Sequence, residues 1–498
     1  MGELKRQTSA SLAWSIIDKF GFQTVAFLVG VVTMRLISPD DFGIIAALAI
    51  FTLLSNILVE SGFTVAMVRR TSNTNDEYTA AFYFNIAISV LFYVVLMLAA
   101  PLIEGYYDKI NFPDHLAQFL FLAILINSFG IIPNIILVKS LKFKYISIAN
   151  LSSAIISGVV VVVLAIKGYT CWALAWQQVL QVVVRTAIMW FFSRWKPSLK
   201  PCFSVIKELF SFSAILIATS IISTGVKSLY TFLIGKKYNE TDLGYYGQAN
   251  KFHQIPGNIV SGSLSGVAYP ILSILNLEKE RQLIYFRKIM RITAFLIFPM
   301  MFGLIGVAEN FILVCTNVVW LPAVPYLQIL SISAMFMPFQ NLCLQILNVM
   351  GQPKWNFRLE MIRNSLIIIS LIVCVLSINI EFEPQFSIHF FLFKNNFTIS
   401  VLLVGFSIAT FLAYITSIFV IGKFIKYSIL EHFKDILPYV VISIFMYLII
   451  CGLTFLNLNM YLEFILQVVT GIIFYFTATW LLGSRILKDT IELLKSRN

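Results

Sequence analysis

The sequence predicts an all-α integral membrane protein, and three observations carry that prediction. Of its 498 residues 59% are hydrophobic and only 12% charged, where a soluble domain carries roughly a quarter charged residues. Mean hydropathy is +0.87. Apolar runs of about 20 residues recur from end to end, the length a helix needs to cross a bilayer core. Barrel strands would show about 10 alternating residues instead, and a helix satisfies its own backbone in lipid.

About fourteen spans follow in order. The first, 11–35, comes after Lys5 and Arg6; Asp18 and Lys19 interrupt it and no small-x-small cleavage site follows, so it reads as an uncleaved span. Arg6 stands where a myristoylation signal needs Ser or Thr, so no lipid anchor is expected. The second, 43–68, ends at Arg69-Arg70, and the third is 79–103. The fourth, 116–138, stops at the basic stretch KSLKFK from Lys139. The fifth, 146–166, and sixth, 170–192, precede Arg194, Lys196, Lys200 and Lys207. The seventh, 211–234, and eighth, 243–275, lead to KERQLIYFRKIMR from Lys279. Then come 292–314, 322–349, 361–380, 398–421, 438–456 and 461–482. With the N-terminus in the cytoplasm, the cytoplasmic segments hold most of the 36 Lys and Arg residues. Positive-inside bias therefore puts both termini in the cytoplasm.

Two short phrases punctuate this apolar chain. MRLISPDDFGIIAAL, from Met34, and FLIGKKYNETDLGYYGQ, from Phe232, each place Asp, a large apolar residue and Gly after an apolar run, as Asp41-Phe42-Gly43 and Asp242-Leu243-Gly244. Pro39 and Gly43 are expected to end one helix and allow a tight reversal, with Asp41 and Asp242 capping the helices that follow. The echo persists: PDHLAQFLFLAIL from Pro113 resembles PAVPYLQILSISA from Pro322, and KSLKFKY from Lys139 sits where GQPKWNF from Gly351 sits. The chain thus reads as two six-helix repeats, 1–205 and 206–425, followed by two extra transmembrane helices and a cytoplasmic tail over 426–498. An even number of spans relates the repeats by an axis along the membrane normal, and two such halves are expected to enclose a central cavity.

MRLISPDDFGIIAAL, ESGFTVAMVRR (Glu60 to Arg70) and WLPAVPYLQIL (Trp320 to Leu330) are similar to motifs of the Wzx-type polysaccharide flippases. These form the polysaccharide transporter branch of the MOP superfamily, which also holds MATE exporters and MurJ lipid II flippases. The similarity runs from about residue 5 to residue 365 and is densest in the first 70. The resemblance implies a flippase, not an enzyme, that carries an undecaprenyl-diphosphate-linked oligosaccharide across a bacterial inner membrane by alternating access. The product would feed surface polysaccharide such as O-antigen, other lipopolysaccharide glycan, capsule or exopolysaccharide. Expected partners are that glycan, membrane lipids and other polysaccharide assembly proteins, with the chain a monomer. The segment EFEPQFSIHFFLFKNNF, from Glu381, departs from the family by being longer and more aromatic than a simple turn.

Ionisable groups inside spans are costly and mark candidate function. Arg185 lies about two turns inside span six, while Lys227 and Lys251 lie about two turns inside the outer ends of spans seven and eight. A diphosphate brings about two negative charges that a low-dielectric interior must balance. Arg185, Lys227 and Lys251 are therefore the candidate substrate-binding cations. Glu60 in span two and Asp18 in span one, the latter beside Lys19, are the candidates for proton or sodium coupling. Pro133, Pro256, Pro270, Pro299 and Pro338 fall within spans, where they would kink helices or serve as hinges.

Other functions fit less well. A cation-coupled multidrug exporter of the MATE kind would need an acidic cavity, and a lipid II flippase shares the charge logic but not the quoted motifs. A membrane polymerase or ligase of lipid-linked sugars would need larger outer loops than the longest here, which holds a lone His389. Six scattered cysteines show no CxxC or Cys/His spacing, so no metal is expected. LIGKKYNE lacks the GxxxxGK[ST] of a phosphate loop, so no nucleotide cofactor is expected either. The net charge of +12 has no soluble domain to present it to nucleic acid.

The topology has a direct test. Single cysteines at Asp40 and Asn239, in a chain stripped of its native cysteines, should react with an impermeant maleimide added to intact cells whose outer barrier has been opened. Reaction only after lysis of the inner membrane would reverse the assignment.

Overall fold

A computed structural model describes residues 2–60, 63–70, 72–198, 201–202, 204–379, 397–456 and 458–482. His389 and most of the outer segment from Glu381 lie outside them. The described residues form helices α1 (Gly2–Leu36), α2 (Pro39–Glu60), α3 (Phe63–Arg69), α4 (Asn75–Tyr106), α5 (Leu116–Lys139), α6 (Phe143–Ile166), α7 (Thr170–Ser193) and α8 (Ser204–Lys237). There follow α9 (Glu240–Ile274), α10 (Lys279–Cys315), α11 (Val324–Ala334), α12 (Met337–Val349), α13 (Pro353–Asn379), α14 (Phe397–Ile425), α15 (Ile429–Leu453) and α16 (Met460–Leu481). All-helical architecture is thus what the apolar runs deliver.

Among the described residues twelve helical segments are long and apolar enough to cross a membrane. The fourteen expected spans each contain helix, but α7 and α9 fall outside that set of twelve. Their sequences explain it: α7 carries Gln177, Gln178, Gln181 and Arg185, and α9 carries Gln248, Asn250, Lys251, His253 and Gln254. The prolines divide into two kinds. Pro133, Pro256, Pro270 and Pro299 lie inside continuous helices, whereas Pro338 is the second residue of α12, just after a two-residue turn at Met335 and Phe336 that interrupts the helix while keeping right-handed backbone angles. Proline is tolerated there because its missing N–H falls in a first turn, where that donor has no helical partner.

The chain clusters into two compact units, Met1–Gly247 and Gln248–Asn498. In the first, α6 packs on α1 and α7, α5 on α4 and α7, and α2 on α8. Residues that the hydropathy signal alone leaves unexplained do the joining. Thr74 and Glu77 form a reciprocal capping box at the start of α4, and Arg70 joins that Glu77 at 3.2 Å to Glu208 of α8 at 3.4 Å. At the far end of the same pair, Lys236 Nζ reaches the Tyr106 carbonyl at 2.6 Å and Asp108 at 2.8 Å. In the second unit α10 packs on α15 and α16, and α14 on α11, α12 and α13. A core of Phe286, Met290, Ile297, Met301, Phe339 and Tyr414 fills it.

The two echoed phrases meet within the first unit, which includes the opening turns of α9. Ser38, not Asp41, caps α2: its hydroxyl accepts from the Asp41 amide at 3.4 Å and donates to the Asp41 carboxylate at 2.6 Å. Asn239 does the same for α9, accepting from the Asp242 amide at 2.9 Å. The expected caps are therefore the third residues of their helices, and Pro39 starts α2 where the sequence suggested that it ends α1. Gly43 and Gly244 lie inside helices and do not turn the chain. A Cβ on Gly43 would lie 1.8 Å from the Glu240 carbonyl oxygen, and one on Gly244 would lie 1.9 Å from that of Pro39. The contact is reciprocal, and Thr241 hydrogen-bonds Asp40 across it at 2.5 Å. Only glycine permits two helix starts to approach backbone to backbone in this way.

Gly43→Ala and Gly244→Ala should each destabilise the protein by at least the roughly 1–3 kcal/mol of an overpacked core, because backbone rather than a side chain stands in the way. Gly30→Ala and Gly225→Ala, with open space around the added methyl, should be neutral or slightly stabilising. Thermal unfolding midpoints of the purified protein in detergent check both expectations.

Candidate functional site

Helix α2 ends at Glu60, and the adjoining faces of α5 and α7 present Asn127, Asn134, Arg185 and Thr186 to the same polar cleft. Thr64 of α3 completes it. Asn127 and Asn134 share a face because they stand seven residues, two helical turns, apart. The cleft has a volume of about 30 Å³, enough for roughly one water molecule. Its lining pairs locally, since the Asn127 amide donates to Asn56 of α2 at 3.1 Å.

Two of the residues singled out from sequence thus come together here, Arg185 and Glu60. They feel each other's charge, and Asp18 contributes a weaker attraction to Arg185, yet no hydrogen bond joins Glu60 to the guanidinium. Arg185 Nε is buried with no hydrogen-bond partner. Asp18 is held apart from Lys19: its two carboxylate oxygens accept from Asn150 Nδ2 of α6 at 3.0 and 3.1 Å, while Lys19 is exposed. Arg185 therefore faces two carboxylates within its own unit.

Lys227 lies on α8 in the first unit and Lys251 on α9 in the second, and both side chains are exposed. Sequence reasoning missed the amides. Asn127 and Asn134 stand in an apolar run, and their spacing by two turns was the available signal.

The second unit holds a different kind of cleft, of about 400 Å³. Phe295, Pro299 and Gly303 of α10 form one wall and Met446 of α15 with Gly471 and Tyr475 of α16 the other. It is almost wholly apolar, with Gln467 as its polar exception. Polar contacts pin its walls: Tyr475 donates to the Phe295 carbonyl at 2.8 Å, and Asn310 of α10 donates to Glu463 and Gln467 of α16 at 2.8 and 3.0 Å. Among the described residues no group of His, Cys, Asp and Glu has the arrangement of a metal site.

Known proteins share this build. The succinoglycan biosynthesis transport protein ExoT of Rhizobium meliloti is 25% identical over 331 residues, 66% of each chain. The lipopolysaccharide biosynthesis protein WzxC of Escherichia coli is 23% identical over 74% of this chain and 75% of its own. The chain spans about two thirds to three quarters of these relatives' lengths. Among solved structures, the lipid II flippase MurJ in an inward closed conformation superposes over 96% of this chain and 100% of its own, with a TM-score of 0.75 at 15% identity. An inward-facing multidrug resistance MATE transporter of the MOP superfamily gives 0.61 at 13% identity, covering 81% and 94%. At such identities the structural likeness is one of fold. Residues 32–325, more than half of the sequence, match the family described as polysaccharide biosynthesis protein, and the chain belongs to that family.

Proposed function

We propose that this protein is a flippase that moves an undecaprenyl-diphosphate-linked oligosaccharide from the cytoplasmic to the outer leaflet of a bacterial inner membrane, by alternating access and without chemistry of its own. The observation that carries the reading is the polarity of α7 and α9. They have the length of spans but not the apolarity, and they bear Arg185 and Lys251. Lipid penalises such helices unless they border a polar space, and a charged, sugar-bearing head group needs one.

Each part of that substrate finds a matching chemistry in the chain. Cations at Arg185, Lys227 and Lys251 suit the diphosphate, lysine in particular because a point charge on a flexible stem follows a moving group. The apolar cleft along α10, α15 and α16 suits a long hydrocarbon tail. The contact between α2 and the start of α9 lies outside the membrane in the assigned topology, and outward opening would part it. That step would break the Thr241–Asp40 hydrogen bond and the glycine contact. Glu60, beside Arg185, is the first candidate for a coupling proton, and Asp18 the second.

Lys227→Gln and Lys251→Gln should insert normally yet export less surface glycan. A charge-assisted contact is worth about 1.5–3 kcal/mol, or roughly 10- to 100-fold in flux. Lys→Arg changes should be milder, and the double neutral variant worse than either single. Wild-type export from the double variant, at equal membrane abundance, would remove the cations from the mechanism. In reconstituted vesicles Glu60→Gln should retain assembly and lose the response of transport to a proton gradient. An unchanged response would acquit Glu60.

A further inference from the structure

Five side chains in the second unit form a continuous hydrogen-bonded chain that the transport reading does not use. Asp435 of α15 accepts a fork from Arg287 of α10, Nε at 2.8 Å and the second nitrogen at 3.1 Å. The Tyr427 hydroxyl lies 2.9 Å from the same carboxylate. His432 Nδ1 lies 3.2 Å from Tyr427, and His432 Nε2 contacts the hydroxyl of Tyr414 on α14. Arg291 stands 3.8 Å from Asp435, and Glu431 lies 3.4 Å from Arg287.

Donor and acceptor chemistry fixes every proton in this chain. A carboxylate paired with arginine only accepts, so Tyr427 donates to Asp435. The Tyr427 oxygen then accepts from His432, so Nδ1 carries the hydrogen. A neutral imidazole has one N–H, which leaves Nε2 bare to accept from Tyr414. The chain is satisfied throughout only with the ring neutral.

Its far end is closed. Tyr414 and His432 are fully buried, and Tyr414 packs on Phe336, Phe339 and Phe411. A blind chain conducts no protons, but it does respond to gaining one. A second proton on His432 sets N–H against the Tyr414 O–H. Tyr414 must then turn its hydrogen toward phenylalanine rings, and the Cys343 thiol of α12 is a titratable group that acts on it. The charged groups facing the chain are Arg287 and Arg291 on α10 and Glu431 and Asp435 on α15.

We infer that Tyr414, His432, Tyr427, Asp435 and Arg287 form a proton-sensitive latch that clamps the start of α15 onto α10 and α14. It is closed with His432 neutral and weakens as pH falls. Arg291 is one helical turn from Phe295, where the apolar cleft begins, so the latch stands at that cleft's end. What the cleft binds rests on the transport reading; the latch does not.

Spin labels on cysteines placed at Ile284 and Lys434, with the other native cysteines replaced and buried Cys343 retained, report the α10–α15 separation in the full chain. A single short distance is expected at about pH 7.5 and a second, longer one as the sample approaches about pH 4.5, below the ordinary histidine range. His432→Gln, whose amide donates to Tyr427 and accepts from Tyr414 without titrating, should keep the short distance throughout; His432→Leu, also unable to titrate, should likewise lose the pH response. Arg287→Gln should show the longer distance at both ends. No change in the wild type across this range, or a full response in the histidine variants, would overturn the latch. Neither result bears on glycan export by Lys227 and Lys251 variants.

Discussion

The approach of two helix starts at Gly43 and Gly244 is the constraint on which the first unit depends. Helix N-termini carry partial positive charge, so two of them in contact repel. Asp40 and Asp41 on α2, with Glu240 and Asp242 on α9, put four carboxylates in those first turns and offset the repulsion. The Ser38 and Asn239 caps consume the free amides that would otherwise need water. What looked in the sequence like a pair of polar turns is thus one joint, whose composition follows from packing two dipole ends together. The joint is reciprocal: residues 201 positions apart, Gly43 and Gly244, occupy equivalent places on its two sides.

The joint includes the glycine contact and the hydrogen bond from Thr241 to Asp40, beside the buried side chains of Phe42, Leu243 and Tyr246. Large side chains fill the second unit, where Phe286, Phe339 and Trp320 are fully buried.

Legibility in the sequence tracked the strength of the physical signal. Hydropathy located helix at all fourteen expected spans, because burying or lipid-facing apolar side chains dominates the energetics of such runs. It misread the ends: Ser38 and Asn239 cap where Asp41 and Asp242 were expected, since several residues near a helix start can cap equally well on sequence grounds. It could not distinguish Pro338, which stands just after an interruption of the helix, from Pro299, which does not, because neighbouring helices decide that outcome. Glu60 and Arg185, 125 positions apart in sequence, share a cleft that only tertiary packing creates. Asn127 and Asn134 were visible and passed over, and a polar pair at helical spacing inside an apolar run deserved the same weight as the charges.

The amphiphilic substrate proposed above would ask one chain for two solvents, and the two units hold different clefts. The first offers amides, Glu60 and Arg185 in one small polar space. The second offers a hydrocarbon slot between polar anchors, Arg287 with Asp435 at one end and Asn310 with Glu463 at the other. These anchors lie 23 residues apart on α10, about 35 Å along a helix, against a hydrocarbon core of about 30 Å. Between them, from Ala294 to Ala308, α10 carries no charged or amide side chain. The slot itself is lined on α10 from Phe295 to Val307, so under the proposed reading the polar anchors flank an oily space for a hydrocarbon tail and the polar cleft of the other unit is left for a charged head.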